Sequence, residues 1–160
     1  MRWIWIDKFV EFTSRVSATA AKNVTLAEEH LHDLYPDFPI VPHSLIVEGM
    51  AQTAGILVGE AAGFKEKVIL AKIGRATFHR LTRPGETLQF SARIEQFNEQ
   101  GASASGTVTS AGNLVAEIEL MFSHVDQNMA GIQFPEHNFV FTEQFTELLQ
   151  TYRLKTDIVL

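Results

Sequence analysis

The pattern of polarity along the chain predicts an α+β protein, with one antiparallel sheet wrapped around a single central apolar helix and a short helix near the C-terminus. Three observations carry this. Pro42–Val58, PHSLIVEGMAQTAGILV, is apolar on nearly every side; four later stretches read as long strands; and those strands are joined by short turns. A helix apolar all round belongs inside a protein. Consecutive strands on short turns make an antiparallel layer that can curve over it, which is the α+β arrangement. One sheet covers part of such a helix, and a second copy of the chain would cover the rest.

In chain order, Trp3–Phe12 is rich in aromatic and β-branched residues and reads as one or two short extended segments. Arg15–Thr25 reads as a strand paired back onto it. Leu26–Asp33 is a brief helical turn. Tyr35–Pro42, YPDFPIVP, holds three prolines in eight residues, and proline restricts both itself and its predecessor, so this is a stiff extended loop. It feeds the central helix, with Ser44 as a candidate N-cap and Gly59 and Gly63 as candidate stops. Val68–Arg80, Thr87–Phe97, Ala102–Ser110 and Leu114–Val125 are the long strands, with turns at Arg83–Glu86, at Asn98–Gly101 and at Ala111-Gly112-Asn113. Asp126–His137 reads as a linker, and Thr142–Tyr152 carries Phe145, Leu148, Leu149 and Tyr152 at helical spacing. The expected organisation is one domain over 1–125, followed by a linker and C-terminal helix over 126–160 that pack on or beside it.

Composition narrows the function. The 160 residues include 13 basic and 19 acidic side chains, a net charge of −6, with 46% apolar and 20% charged residues. No basic cluster is present, which argues against a nucleic-acid partner. The absence of cysteine excludes disulfides, thiolate metal sites and a cysteine nucleophile. The central helix is too short and too interrupted to span a membrane, and the N-terminus lacks the pattern of a signal peptide, so a cytoplasmic location is expected.

Glu48 is the point of chemical interest. It stands among Leu45, Ile46, Val47, Met50 and Ala51, with Gln52 one turn later. Burying a carboxyl group costs free energy unless it is paired, protonated or used, so Glu48 is either a satisfied structural acid or a reactive one. The six histidines are scattered without an i, i+4 pair around an acid, giving no metal signature. Ser44 has no nucleophile elbow around it. Trp3 and Trp5 are expected on one face of a strand, packed in the core or a dimer contact. Gly55, Gly59 and Gly63, spaced four apart, could admit a close neighbour.

Two segments resemble the β-hydroxyacyl-[acyl carrier protein] dehydratases of fatty acid synthesis, which have the hot-dog fold. That family's helix motif, G-H-F-P-G-x-P-x-x-P-G-x-L-x-x-E-A-M-A-Q, is matched by DLYPDFPIVPHSLIVEGMAQ from Asp33 to Gln52; its second signature, F-x-R-P-x-x-P-G-D, is echoed by FHRLTRPGE from Phe78 to Glu86. The resemblance spans roughly Arg2 to Val125. It implies a sheet wrapped around the helix, a homodimer with sites between subunits and three dimers in a hexamer as an open possibility, an acyl-carrier-protein thioester as substrate, and no metal or redox cofactor.

In that family, a histidine from the loop removes a C2 proton, the helix acid helps the C3 hydroxyl leave as water, and a backbone N–H at the helix start polarises the thioester carbonyl. Glu48 matches the acid, and Gln52 would orient it. The family glycine at the helix start is His43, whose backbone N–H could polarise the carbonyl and whose ring could substitute as base; His30 and His32 are further substitutes. The family histidine falls on Leu34, which cannot accept a proton, and the loop glycine falls on Asp37. Tyr35, Pro36, Pro42, Ser44 and Phe78 are the matching substrate-binding positions. Arg75, Arg80 and Arg83 are candidates for docking the acidic carrier protein. Two other readings stay open on the residues: a thioesterase in which Glu48 or Asp37 activates water, and a catalytically silent acyl-binding or scaffolding homologue.

Overall fold

The computed structural model describes residues 4–125, 138, 140, 141 and 143–157, without the side chains of residues 32 and 155–157. Six strands, β1 (Lys8–Thr13), β2 (Ser17–Asn23), β3 (Val68–Phe78), β4 (Thr87–Asn98), β5 (Gly101–Ser110) and β6 (Asn113–His124), form one sheet. Its order is β1-β2-β4-β5-β6-β3, and every neighbouring pair is antiparallel. The helices are α1 (Glu29–Asp33), α2 (His43–Ala61) and α3 (Glu143–Asp157). This is the expected α+β layout, with the central helix and the four long strands where the sequence patterns put them.

Alternation decides which face of the sheet is covered. Ala18 and Ala20 of β2, Leu88, Phe90 and Ala92 of β4, Ala102, Ala104 and Val108 of β5, and Ile118, Leu120 and Phe122 of β6 are buried beneath α2. Ala20, Phe90, Val108, Ala116 and Phe78 lie in one register line across the sheet. The many alanines leave room for α2 to sit low, and glycine sets its height. A Cβ on Gly49 would fall 2.6 Å from Cε1 of Phe90. A Cβ on Gly106 would fall 2.7 Å from the Ser91 carbonyl oxygen.

The ends of α2 differ from the sequence expectation. Ser44 lies inside the first turn; the N-cap is Pro42, with no side-chain cap, and its carbonyl accepts from the Leu45 and Ile46 amides at 2.9 and 3.3 Å. The helix therefore starts two residues earlier than a Ser44 cap would place it, and proline, having no N–H, leaves no donor of its own unpaired at that end. Gly59 does not stop the helix: it lies buried within α2, which continues to Ala61. Gly63 does: at φ +65° it forms the left-handed C-terminal cap, with Gly63 N–H to the Glu60 carbonyl at 2.9 Å and Phe64 N–H to the Gly59 carbonyl at 2.7 Å.

Trp5 is buried, but it precedes β1 instead of belonging to it, and Trp3 lies outside the described residues, as does the expected linker Asp126–His137. The β5–β6 hairpin closes on Ala111-Gly112, both at positive φ (49° and 78°). α3 lays Phe145, Leu148, Leu149 and Tyr152 against the core, and Arg153 donates to Glu60 of α2 at 2.8 Å. At the far edge of the sheet, β3 exposes Ile69, Leu70 and Ile73. Among the described residues, no helix is long and apolar enough to cross a membrane.

Candidate active site

α2 presents Glu48, Ala51, Gln52, Gly55 and Ile56 along one side, following the three- and four-residue spacing of a helix face. Opposite them stand Val68 and Leu70 of β3, Phe122 of β6, and Val140, Phe141 and Phe145 from the C-terminal segment. Together they line a mostly apolar, partly open cavity of about 170 Å³, with the half-buried Glu48 nearest the N-terminus among the α2 residues that line it.

Glu48 is held from behind. Gln52 Nε2 donates to Glu48 Oε1 at 2.7 Å, while Gln52 Oε1 accepts from the backbone N–H groups of Trp5 at 2.8 Å and Ile6 at 3.3 Å. Since backbone amides can only donate, the Gln52 oxygen must face Trp5 and Ile6, and its NH₂ group must face the carboxyl group. The segment before β1 therefore fixes which way the carboxyl group points. Glu48 lines the cavity, where an acid can exchange a proton with a bound molecule.

The other positions singled out in the sequence fall into separate settings. His43 stacks flat on Phe78, with ring centroids 4.0 Å apart and planes 2° from parallel. Five residues separate His43 from Glu48, so their side chains leave the helix about 140° apart and about 7.5 Å apart along the axis. The His43 ring and the Glu48 carboxyl group thus do not converge within one chain. Leu34, Tyr35, Pro36 and Asp37 are exposed on the loop after α1, Pro42 is half-buried and Ser44 is exposed; none of these lines the cavity. That loop is pinned where it returns to the sheet, by Val41 N–H to the Thr82 carbonyl at 3.0 Å and by the Arg83 guanidinium 4.3 Å over the Phe38 ring.

Arg80 is committed to Glu86 by two hydrogen bonds, at 2.7 and 3.2 Å, and Glu86 also accepts from the Arg83 N–H at 2.8 Å. The hydrogen bond from Arg80 holds the Glu86 carboxyl group below the usual carboxylate range against the opposing effect of burial, and Glu86 raises Arg80 in return. Arg75 pairs with Glu119 on the exposed face of the sheet. His79 lies 2.9 Å from Glu117, and His124 lies 2.9 Å from the Glu99 carbonyl oxygen. His30 meets the Trp5 ring edge-on at 5.2 Å, which puts it one residue away from the Gln52 clamp. The side chain of His32 and all of His137 lie outside the described residues. Among the described residues, no group of three or more His, Asp or Glu side chains could hold a metal ion.

Sequence reasoning missed the Trp5 and Ile6 amides and the cavity wall built from Val140, Phe141 and Phe145. Backbone donors leave no mark on side-chain pattern, and docking of the C-terminal segment is a tertiary event. The one available signal was Gly59, a buried helical glycine that a ring approaches: a Cβ there would lie 2.6 Å from Phe141 Cε2.

An antiparallel sheet packed on one helix, with a clamped acid on that helix lining an apolar cavity, defines a hot-dog protein. Residues 4–119 match the family model described as the FabA-like domain. The chain is 34% identical over 125 residues to the 3-hydroxyacyl-[acyl-carrier-protein] dehydratase FabZ of Listeria welshimeri, covering 78% of this chain and 87% of that one. It is 35% identical over 117 residues to the enzyme of the same name from Rickettsia rickettsii, covering 72% and 81%. Among solved structures, a Streptococcus mutans protein bound to acetyl-CoA superposes with a TM-score of 0.62 at 15% identity, covering 77% of this chain and 91% of that one. The dehydratase heterocomplex ApeI:P of Xenorhabdus doucetiae gives 0.61 at 15%, covering 76% and 82%. The chain belongs to the FabA-like family of 3-hydroxyacyl-[acyl-carrier-protein] dehydratases.

Proposed function

We propose that this protein removes water from a 3-hydroxyacyl thioester on an acyl carrier protein, giving the trans-2-enoyl thioester in fatty acid synthesis. The observation that carries the reading is Glu48: an acid on the central helix, oriented by Gln52 and the Trp5 and Ile6 amides, lining an apolar cavity. Its relatives' names supply the reaction class.

With leucine at position 34, Glu48 handles both protons. As a carboxylate it takes the C2 proton while the thioester carbonyl draws off charge. The C2–C3 double bond forms as the C3–O bond breaks, and the same carboxyl group returns its proton to the departing hydroxide. Water leaves and the carboxylate is restored. The N-terminus of α2 at His43 and Ser44 favours negative charge developing on the carbonyl oxygen. The His43–Phe78 stack borders that mouth.

The proposed active form is a homodimer. β3 is an edge strand whose outer backbone groups are open to pairing, and it displays Ile69, Leu70 and Ile73. Leu34, Tyr35 and Phe38 are also exposed; pairing two copies along β3 would bury such groups and complete the cover of α2. Arg83, exposed on the 80–86 turn, is the best candidate to meet an acidic carrier protein, because Arg75 and Arg80 already have acidic partners.

The test is turnover of wild type, Glu48→Gln and Leu34→His. Wild type should form enoyl product, Glu48→Gln should lose it, and Leu34→His, reaching the site across the proposed dimer contact, should gain rate by up to about 10²-fold by restoring a base. An inactive wild type whose Leu34→His variant dehydrates would overturn the single-carboxyl reading in favour of a silent acyl-binding homologue.

A further inference from the structure

The cavity beside Glu48 is lined in part by residues that the family match does not include. That match stops at residue 119, whereas Val140, Phe141 and Phe145 line the cavity and belong to the segment leading into and through α3. Phe141 seats its ring on α2 at Gly59, where the missing Cβ is what admits it, and meets Phe64 edge-on at 5.2 Å. From Glu48 to Gly59 is about 16 Å along the helix, at about 1.5 Å per residue.

The wall is fastened, not merely resting. Asn138 Nδ2 donates to the carbonyl groups of Phe64 and Glu66, both at 3.0 Å, and its Oδ1 accepts from the Val140 and Phe141 N–H groups at 3.0 and 3.1 Å. Arg153 to Glu60 ties α3 to the same helix. The volume of this partly open cavity, about 170 Å³, falls below the roughly 300–1,000 Å³ of pockets that bury larger ligands.

We propose that Phe141 and Phe145 are the chain-length determinants of this protein: they end the acyl pocket and restrict it to short and medium acyl chains. The assignment rests on the acyl-thioester reading of the Glu48 site. An acyl chain entering past Glu48 runs along Ala51, Gly55 and Ile56 and stops at the two rings. Gly55 is a second control point, since a Cβ there meets only Phe122 Cε1 at 3.5 Å, an ordinary contact. Gly55→Ala is therefore accommodated and narrows the passage.

The test uses acyl-pantetheine amides from butanoyl to hexadecanoyl at submicellar concentration, which have no hydroxyl to lose and no thioester to hydrolyse. Binding to the full-length protein is measured by calorimetry. Wild-type affinity should rise with length and then stop rising. Phe141→Ala and Phe145→Ala should move that limit to longer chains, with each newly buried methylene worth about fourfold in affinity. Gly55→Ala should move it to shorter ones. Phe141→Leu gives the same direction as Phe141→Ala with less loss of packing and stands in if the alanine variant does not fold. A limit that stays put in folded variants, or a wild type with no limit across the series, overturns the proposal. The dehydration assay on the same samples is read separately: shifted binding limits without any enoyl product would refute the reaction and leave the wall intact.

Discussion

Replacing Gln52 by leucine removes the clamp behind Glu48 while keeping the side chain's approximate volume. Two buried backbone amides, at Trp5 and Ile6, lose the oxygen that accepts from them, and Glu48 loses its donor. A buried amide left unpaired costs about 1–3 kcal/mol, and partial relaxation of the segment before β1 recovers some of that. The expected loss is about 2–4 kcal/mol of folding stability, or a fall in Tm of about 4–16 °C for a chain of this length. A carboxyl group free to swing by about 1 Å should lower kcat/KM by about 10²-fold. Gln52→Glu separates the two roles: it keeps an acceptor for both amides but offers Glu48 a second acid in place of an N–H donor. Its stability at mildly acidic pH should stay within about 1 kcal/mol of wild type, while its pH–rate profile changes. The assay is urea unfolding at several pH values beside initial rates of enoyl formation. A Gln52→Leu protein as stable and as active as wild type would refute the reasoning.

Ile73→Asp places a charge on the exposed edge strand and should shift the protein from dimer to monomer in analytical ultracentrifugation, with activity falling alongside; an unchanged mass would rule out β3 as the contact. The Glu86 carboxyl group is held below its usual range by Arg80. Its contribution to stability is therefore complete above the unfolded carboxylate pKa of about 4.3 and disappears as pH falls through the lower folded value. Glu86→Gln should be less stable by about 1 kcal/mol at neutral pH, a modest figure because the pair is partly solvated. That deficit should vanish in strong acid, and parallel stability curves would contradict it. Ala111 holds a left-handed conformation at φ 49°, a strain of about 1 kcal/mol for an alanine. Ala111→Asn or Ala111→Gly should therefore raise Tm by about 2–4 °C in a calorimetric scan.

The helix and the long strands were legible because each has a period that solvent enforces. Leu88, Phe90 and Ala92 alternate inward on β4, and Ile46, Met50, Ala54, Leu57 and Val58 leave α2 no polar side. Glu48 and Gln52 were legible for the converse reason, as polar groups where polarity is costly. The structure added what is non-local. Nothing in the sequence says that Trp5 and Ile6 would offer their amides to Gln52, forty-six and more positions away, instead of to a neighbouring strand. The histidine nearest to Glu48 in sequence, His43, stacks on Phe78. Arg80, a docking candidate in the sequence, is paired with Glu86 at the other end of its own turn. The end wall depends on how α3 docks, and spacing within α3 reveals only which of its faces is apolar.

Everything proposed for this site turns on Glu48 performing an elimination. The most direct measurement is the intact mass of a 3-hydroxyacyl carrier protein incubated with wild type and with Glu48→Gln. Wild type should remove the mass of one water and leave the acyl chain attached to the carrier, while Glu48→Gln, folded and still binding acyl-pantetheine amides, should leave the substrate unchanged. Release of the acyl group as free acid, or equal dehydration by both proteins, would contradict the account.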